Sequence, residues 1–150
     1  MREAPSYRLA YLLGYAGLLP FVTIAVLLWF ESQFPSFFLL QLFHIYSILI
    51  LVFLCGSWWG FAFAATFSDR LRNYLLLGSN LLFLIFLGLM YGTIMQNQWF
   101  TLILASAYLL FYIVERILSG LPIDHRYRQM RLIVTLVVVL SHISAYFAVN

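Results

Sequence analysis

The sequence predicts an all-α membrane protein, a single domain of five transmembrane helices with its N-terminus cytoplasmic and its C-terminus outside. Three observations predict this class. Hydrophobic residues make up 65% of the 150 residues and charged residues only 9%, whereas about a quarter of the residues in soluble domains are charged. The hydrophobic residues form five long runs. The positive charges are confined to alternate connections between these runs.

The orientation follows from the distribution of arginine. All eight basic residues are arginine, and none lies in the connections 31–36 and 96–98 or at the C-terminus. Short loops that carry arginine stay in the cytoplasm, and loops without it cross the membrane. Anionic lipid headgroups are the expected partners of these arginines, so the net charge of +3 does not indicate nucleic-acid binding. The arginines are Arg2, Arg8, Arg70, Arg72, Arg116, Arg126, Arg128 and Arg131.

The five spans are predicted at residues 11–30, 37–63, 74–95, 99–118 and 132–147. Each run is continuously apolar, which is typical of a helix that crosses the hydrocarbon core and not of a membrane β-strand. Pro20, near the middle of the first span, predicts a kink because proline removes a backbone donor. Only a few polar residues separate the third and fourth runs, which predicts a tight antiparallel hairpin.

Glycines predict where helices approach each other. Two pairs with a spacing of four residues lie in the second and third spans, and each pair shares one helix face. We expect these two spans to be in close contact through the glycines, with an interface to another protein as the alternative. The first span carries two further glycines just before Pro20. The candidate packing residues are Gly14, Gly17, Gly56, Gly60, Gly88 and Gly92.

Four residues within the spans are candidates for binding a small ligand, namely His44, Trp58, Trp59 and His142. Polar side chains in a bilayer usually face the bundle interior and find a partner there. The second and fifth spans run in opposite directions, so the two histidines can lie at the same depth. Three roles of the histidines remain open, namely hydrogen bonding inside the bundle, binding of a quinone or other ligand, and ligation of a haem iron. Core packing and ligand stacking are both open for the tryptophans.

At the cytoplasmic ends of the fourth and fifth spans, Glu115 and Arg131 are predicted to form an ion pair. Asn80, in the third span, is predicted to donate a hydrogen bond to a neighbouring helix. No acidic residue lies near the middle of a span, which counts against a proton pump or a cation-coupled transporter. The chain contains no catalytic motif and no metal-binding cluster. The sequence therefore predicts no enzyme, no catalytic residue, no metal and no resident cofactor.

Three segments together carry a family resemblance. They are residues 13–21 with the sequence LGYAGLLPF, the Gly56-x-x-Trp59-Gly60 segment, and a set that enters the fifth span, namely Glu115, Arg116, Gly120, Pro122, Tyr127, Arg131 and Thr135. In these segments the chain resembles a small five-span membrane family of unknown function that includes transmembrane protein 69. It departs from the family at Cys55, where a glycine is expected, and at Glu115, where an aspartate is usual. The resemblance implies a protein of bacterial inner membranes or of mitochondria. It transfers no catalytic residue.

Two functional hypotheses follow. The first is a non-catalytic accessory or assembly subunit that docks on a larger inner-membrane complex, with respiratory complexes among the candidates. The alternative is a binder or carrier of a small hydrophobic ligand such as a quinone, or a small transporter that acts as an oligomer. The expected location is the bacterial inner membrane, or the mitochondrial inner membrane in a eukaryote.

Overall fold

The computed structural model describes residues 8–30, 34–64, 67–93, 97–117 and 125–149. These residues form helices and short connections and contain no strand, which confirms the predicted all-helical class. Five segments, with α1 and α2 counted together, are long and apolar enough to cross a membrane. The helices are α1 (Arg8–Ala16), α2 (Leu19–Leu27), α3 (Ser36–Ala64), α4 (Asp69–Leu89) with a 3₁₀ turn at Met90–Thr93, α5 (Trp99–Ile117) and α6 (His125–Ala148).

The helices begin before the hydrophobic runs where arginine precedes the run. The fourth span was predicted to begin at residue 99, and α5 begins at Trp99. In contrast, α6 begins at His125 instead of 132, and α4 begins at Asp69 instead of 74. A hydrophobic run marks the part of a helix that suits hydrocarbon. Arginine is itself a good helix former, so the helix continues into the polar residues at that end.

The first span is divided into two helices. Pro20 lies in the first turn of α2. Backbone N–H groups in the first turn have no acceptor within the helix, so proline costs no hydrogen bond there. The break between α1 and α2 falls at Gly17 and Leu18. The Tyr46 hydroxyl on α3 donates to the carbonyl of Gly17 at 2.9 Å. The kink predicted at Pro20 is therefore present, and α3 supplies a hydrogen bond that stabilises it.

The core lies between α2, α3, α5 and α6, and its largest fully buried side chains include Phe21, Phe43, Leu51 and Leu104. The other two helices are peripheral. α1 packs chiefly against α6, and α4 packs chiefly against α3. A groove separates α4 from α5. The predicted tight hairpin between these two helices is wrong, because α4 uses its packing face on α3.

Side-chain contacts place the arginine-bearing helix ends together. Arg131 of α6 meets Glu115 of α5, and the Arg72 side chain of α4 donates to the carbonyl of Ala62 near the end of α3. We call this the arginine end. At the opposite end, the Trp29 indole donates to the Ser144 hydroxyl. Large apolar side chains cover much of the outer surface along the helices, as expected for a multi-pass membrane protein.

Candidate functional site

Five buried side chains form the polar centre of the bundle, namely His44, Ser47, Thr101, Tyr108 and His142. They connect three helices through neutral groups. His142 Nε2 lies 2.9 Å from the Ser47 hydroxyl, and His44 Nε2 lies 2.8 Å from the Thr101 hydroxyl. The Tyr108 hydroxyl donates to the carbonyl of Ser47 at 2.8 Å. Ser47 therefore links α3 to α6 through its side chain and to α5 through its backbone.

The geometry around His142 fixes the tautomer of its ring. Nδ1 lies 2.7 Å from the carbonyl of Val138, one turn earlier in α6. A carbonyl only accepts, so Nδ1 carries the proton. Nε2 of the neutral ring then accepts from the Ser47 hydroxyl. Both ring nitrogens of His142 are engaged by protein groups, and its exposure is 0%.

Aromatic rings enclose the polar centre. The Phe43 ring lies 4.6 Å from the His142 ring, and Phe21 of α2 lies 5.6 Å from it, measured between centroids. Phe100 packs edge-on against His44 at 5.1 Å. Edge-on and tilted arrangements are the favourable geometries for such pairs. The polar centre is thus a closed set of hydrogen bonds inside an aromatic shell.

The structure separates the two tryptophans from the histidines. Trp58 lies 14 residues after His44 on the continuous helix α3, which is roughly 21 Å along the axis. Trp58 is buried against Phe111 at 4.8 Å, and its indole N–H has no partner among the described residues. Trp59 is 43% exposed. The hypothesis that all four residues contact one ligand is therefore not supported by their positions.

The glycines divide into two groups. A Cβ built on Gly14 would lie 2.9 Å from Met130 Sδ, so α1 lies close to α6 there, and one on Gly17, in the break after α1, would lie 4.0 Å from the Tyr46 hydroxyl of α3. A Cβ on each glycine of the second group would meet no described residue within 4 Å; these are Gly56, Gly60 and Gly88.

The predicted contact between the second and third spans through these open glycines is wrong. α3 and α4 do pack together, but through other residues such as Trp58 and Gly78. Gly92 lies in the 3₁₀ turn after α4, and its surroundings are outside the described part. Asn80 also differs from expectation, because its side chain donates to the Leu76 carbonyl of its own helix at 2.7 Å.

The structure brings Glu115 and Arg131 together at the arginine end. Arg131 Nη2 and Nε lie 2.7 Å and 3.0 Å from the same carboxylate oxygen, Glu115 Oε2. The Glu115 side chain is only 8% exposed and the Arg131 side chain 9%. The other oxygen, Glu115 Oε1, is buried without a partner among the described residues. The pair therefore leaves one strong acceptor unused.

A cavity of about 240 Å³ lies beside this ion pair. Its walls come from α1, α2, α3, α5 and α6. Most of the lining is apolar, with Leu13, Phe53 and Val134 among the contributors, and the polar groups belong to Tyr108, Tyr127, Arg131 and Thr135. The histidines do not line it. Among the described residues, no three His, Cys, Asp or Glu side chains are grouped so that they could hold a metal ion.

Thr101, Tyr108 and the cavity belong to the candidate site, and the sequence analysis does not predict them. A signal for the first two was available, because Thr101, Tyr108 and Glu115 follow each other at intervals of seven residues. Seven residues are about two helical turns, so the three polar side chains share one face of α5. The cavity has no such signal, since its walls come from five helices.

Comparison with protein families matches most of the chain to a known family. Residues 6–147 match a family described as "Protein of unknown function (DUF3429)". The chain belongs to this family. No curated protein and no solved structure matches the chain. The resemblance to transmembrane protein 69 stays a prediction.

The DUF3429 match extends over every helix from α1 to α6. The polar centre, the ion pair, the cavity and the open glycines therefore all lie within the family region. The family description supplies no activity, so any function must be inferred from the geometry of these features.

Proposed function

We propose that this DUF3429 protein is a non-catalytic accessory or assembly subunit that docks on a larger membrane complex. The proposed location is the bacterial inner membrane, or its mitochondrial counterpart in a eukaryote. The N-terminus lies on the cytoplasmic side and the C-terminus outside. Respiratory complexes are the first partners to examine. The observation that carries the proposal is the open glycine face of α3.

The open glycine face consists of Phe53, Gly56, Gly60 and Phe63. Their spacings of three and four residues place them on one side of the helix. Phe53 and Phe63 are 72% and 70% exposed, and no residue that the structure describes lies within 4 Å of a Cβ placed on either glycine. Lipid tails are as apolar as the helices, so there is no hydrophobic driving force for helix association. Helices in lipid therefore associate through close packing at small residues. Such a face is suited to a helix of another protein.

The alternative hypothesis, a ligand such as a quinone bound at the histidines, draws less support from the geometry. His142 uses both ring nitrogens on protein groups, and His44 is 1% exposed beside Thr101. A ligand at His142 must first displace one of its two hydrogen bonds, and a ligand at His44 must first reach a buried ring.

The decisive experiment is the native size of the protein extracted from its own membranes in mild detergent, with co-purifying chains identified. We expect a stoichiometric large assembly. The double variant Gly56→Leu/Gly60→Leu should release the protein from it, while Gly88→Leu, which places leucine at an open glycine of another helix, serves as the matched control. A wild-type protein that migrates alone or as a small homo-oligomer contradicts the proposal.

The proposed orientation has a separate test in a Cys55→Ser background, since Cys55 is the single native cysteine. Cysteines placed at Ser32 and Asn97 should react with an impermeant maleimide added to intact cells. A cysteine at Ser68, next to α4, should react only after permeabilisation. The reverse pattern contradicts the positive-inside assignment.

A further inference from the structure

Asn80 is a polar side chain on the outer surface of α4. It lies near the middle of this helix, which extends from Asp69 to Leu89, and it is exposed. Polar side chains within a membrane span usually face the bundle interior and find a partner there. Asn80 lies seven residues, or roughly 10 Å, beyond the polar Asn73, and its side chain is too short to cover that distance. An exposed asparagine at this depth therefore indicates a surface that another molecule covers.

The side chain of Asn80 has hydrogen-bonding capacity to spare. A carboxamide donates two hydrogen bonds and accepts two. The described residues supply one of these four partners, the Leu76 carbonyl, which accepts from Asn80 Nδ2 at 2.7 Å. Ser106 on α5 is also exposed, but it donates its single hydroxyl proton to the Ile103 carbonyl of its own helix. An N–H and a carbonyl oxygen without partners are costly in hydrocarbon, so Asn80 gains more than Ser106 does from a polar neighbour.

Asn80 belongs to a regular stripe along the outer face of α4. The members follow each other at intervals of four, three, four and three residues, the spacing by which one helix packs along another. All of them are exposed, with Leu77 at 70% and Leu84 at 60%. The buried residues of α4 lie on the other side of the helix, which packs chiefly against α3. We call this surface the Asn80 stripe, and it consists of Asn73, Leu77, Asn80, Leu84 and Leu87.

We propose that the Asn80 stripe binds the same stripe of a second copy of this chain, so that the protein forms a parallel dimer with its two Asn80 carboxamides hydrogen-bonded to each other. Copies of one chain have the same orientation in a membrane. A two-fold axis along the membrane normal therefore places each residue at the depth of its equivalent. A carboxamide complements itself, because it both donates and accepts. A different partner needs a polar side chain at this same depth, whereas a second copy supplies one by symmetry.

The neighbours of Asn80 on the stripe suit this arrangement. Leu77 and Leu84 lie one turn to either side and shield the carboxamide pair from lipid. One asparagine in an otherwise apolar seam fixes register and the number of helices, as it does in two-stranded coiled coils. Arg70 lies one step beyond Asn73 at the arginine end and is exposed. Its long side chain can turn into water there, so repulsion between the two copies is screened.

The Asn80 stripe is separate from the open glycine face. The stripe is on α4, on the side away from α3, and the open glycine face is on α3 itself. The dimer therefore does not rest on the docking proposal, and both contacts can exist in one assembly that contains two copies of the chain.

The first test measures dimerisation of the full-length protein in phosphatidylcholine liposomes. Donor and acceptor dyes are attached to a cysteine at Asn97 in the Cys55→Ser background. Energy transfer should increase with the protein-to-lipid ratio, and unlabelled protein should reduce it. Asn80→Leu should raise the dissociation constant of the dimer at least about threefold, which is the weaker end of the effect of an interhelical hydrogen bond in a membrane.

Two further variants show whether the carboxamide itself is responsible. Asn80→Gln keeps a carboxamide on the stripe and should retain more of the dimer than Asn80→Leu does. Ser106→Ala removes an exposed hydroxyl that is already satisfied within α5 and should leave the dissociation constant unchanged.

Disulfide formation under mild oxidation locates the interface. Single cysteines at Leu77 and Leu84, again in the Cys55→Ser background, should link two copies, because equivalent residues of the stripe face each other across the two-fold axis. Ile85→Cys is the control, since Ile85 is also exposed but points roughly 100° away from Leu84 around the helix. It should form the disulfide much more slowly.

The proposal is overturned if energy transfer does not depend on the protein-to-lipid ratio, if Asn80→Leu dimerises as tightly as the wild type, or if Ile85→Cys links two copies as fast as the stripe cysteines. Linkage of the stripe cysteines to a different chain in native membranes overturns it as well. The liposomes contain no other protein, so a failure of dimerisation leaves the docking proposal standing. Gly56→Leu/Gly60→Leu should leave the dimer unchanged, which separates the two surfaces.

Discussion

The polar centre and the arginine end bury polar groups in two different ways. The polar centre connects α3, α5 and α6 by neutral hydrogen bonds of 2.8–2.9 Å and is enclosed by aromatic rings. The arginine end buries a full ion pair beside a cavity, and one of its carboxylate oxygens has no partner among the described residues. One region is satisfied and closed, whereas the other holds unmet hydrogen-bonding capacity and space. The comparison shows that the polar centre connects its helices without burying a charge, whereas the arginine end joins α5 to α6 by a buried ion pair.

The largest expected effect is the loss of one charge from the ion pair. Arg131→Met leaves the buried Glu115 carboxylate unpaired, and breaking such a pair destabilises a fold by about 3–5 kcal/mol. The double variant Glu115→Gln/Arg131→Met should recover most of this loss, because no lone charge remains. Unfolding by a titration of denaturing detergent in mixed micelles measures both. A loss below about 1 kcal/mol for the single variant is inconsistent with a dry, buried pair.

The second effect concerns the polar centre. His142→Leu keeps similar volume but removes the hydrogen bonds to Ser47 and Val138, and leaves the Ser47 hydroxyl without its partner. We expect a loss of about 1–3 kcal/mol in the free energy of unfolding. Adding Ser47→Ala should restore part of it, since the unsatisfied hydroxyl is then absent. If His142→Leu leaves stability unchanged but abolishes cellular function, the closed centre has a role in ligand binding after all.

The sequence predicts the helices of this protein well because lipid imposes simple rules on them. A chain that crosses hydrocarbon must satisfy its backbone within each helix, so five apolar runs indicate five helices. Pro20 marks the break in the first span for an equally local reason. The ion pair of Glu115 with Arg131 was predicted from two charges at neighbouring helix ends. Each of these inferences depends on residues close together in the chain or at the same membrane depth.

The side-by-side arrangement of the helices was less predictable. Glycine spacing indicates a face that permits close approach, but it does not say which helix uses that face. Gly56, Gly60 and Gly88 were expected to pack against each other, whereas Trp58 and Gly78 lie in the α3–α4 contact. The sequence analysis also grouped Trp58 with His44 as candidates for one ligand, although the two residues lie 14 positions apart on the continuous helix α3. The cavity requires the relative positions of five helices, and no local pattern contains that information.

A smaller effect is expected where the first span is broken. Tyr46→Phe removes the hydroxyl that donates to the Gly17 carbonyl, which should cost about 1 kcal/mol. Because α1 has no buried residue, the change should appear as faster hydrogen exchange in α1 with little change in the core helices. Tyr74→Phe is the control, since that side chain is largely exposed. Unchanged exchange in α1 means that this bond does not restrain the half-helix.

The smallest effects separate the two groups of glycines. Alanine in a helix is favoured over glycine by about 1 kcal/mol, so Gly60→Ala, with nothing near its Cβ, should stabilise the isolated protein slightly. Gly14→Ala gains the same propensity, but its Cβ meets Met130 Sδ at 2.9 Å. The side chain of Met130 must move, and we expect no net gain. Parallel unfolding titrations of the two variants measure the difference.

Gly60→Ala also distinguishes a lipid-facing glycine from a docking glycine. If the open face of α3 contacts only lipid, the added methyl group has no partner to displace, and the variant should match the wild type in every membrane extract. If another helix packs there, the methyl group separates the two backbones, since close approach requires the small residue. The variant should then be more stable alone and yet less abundant in the large assembly. A change of opposite sign in stability and in assembly is difficult to explain by misfolding, because a misfolded protein loses both.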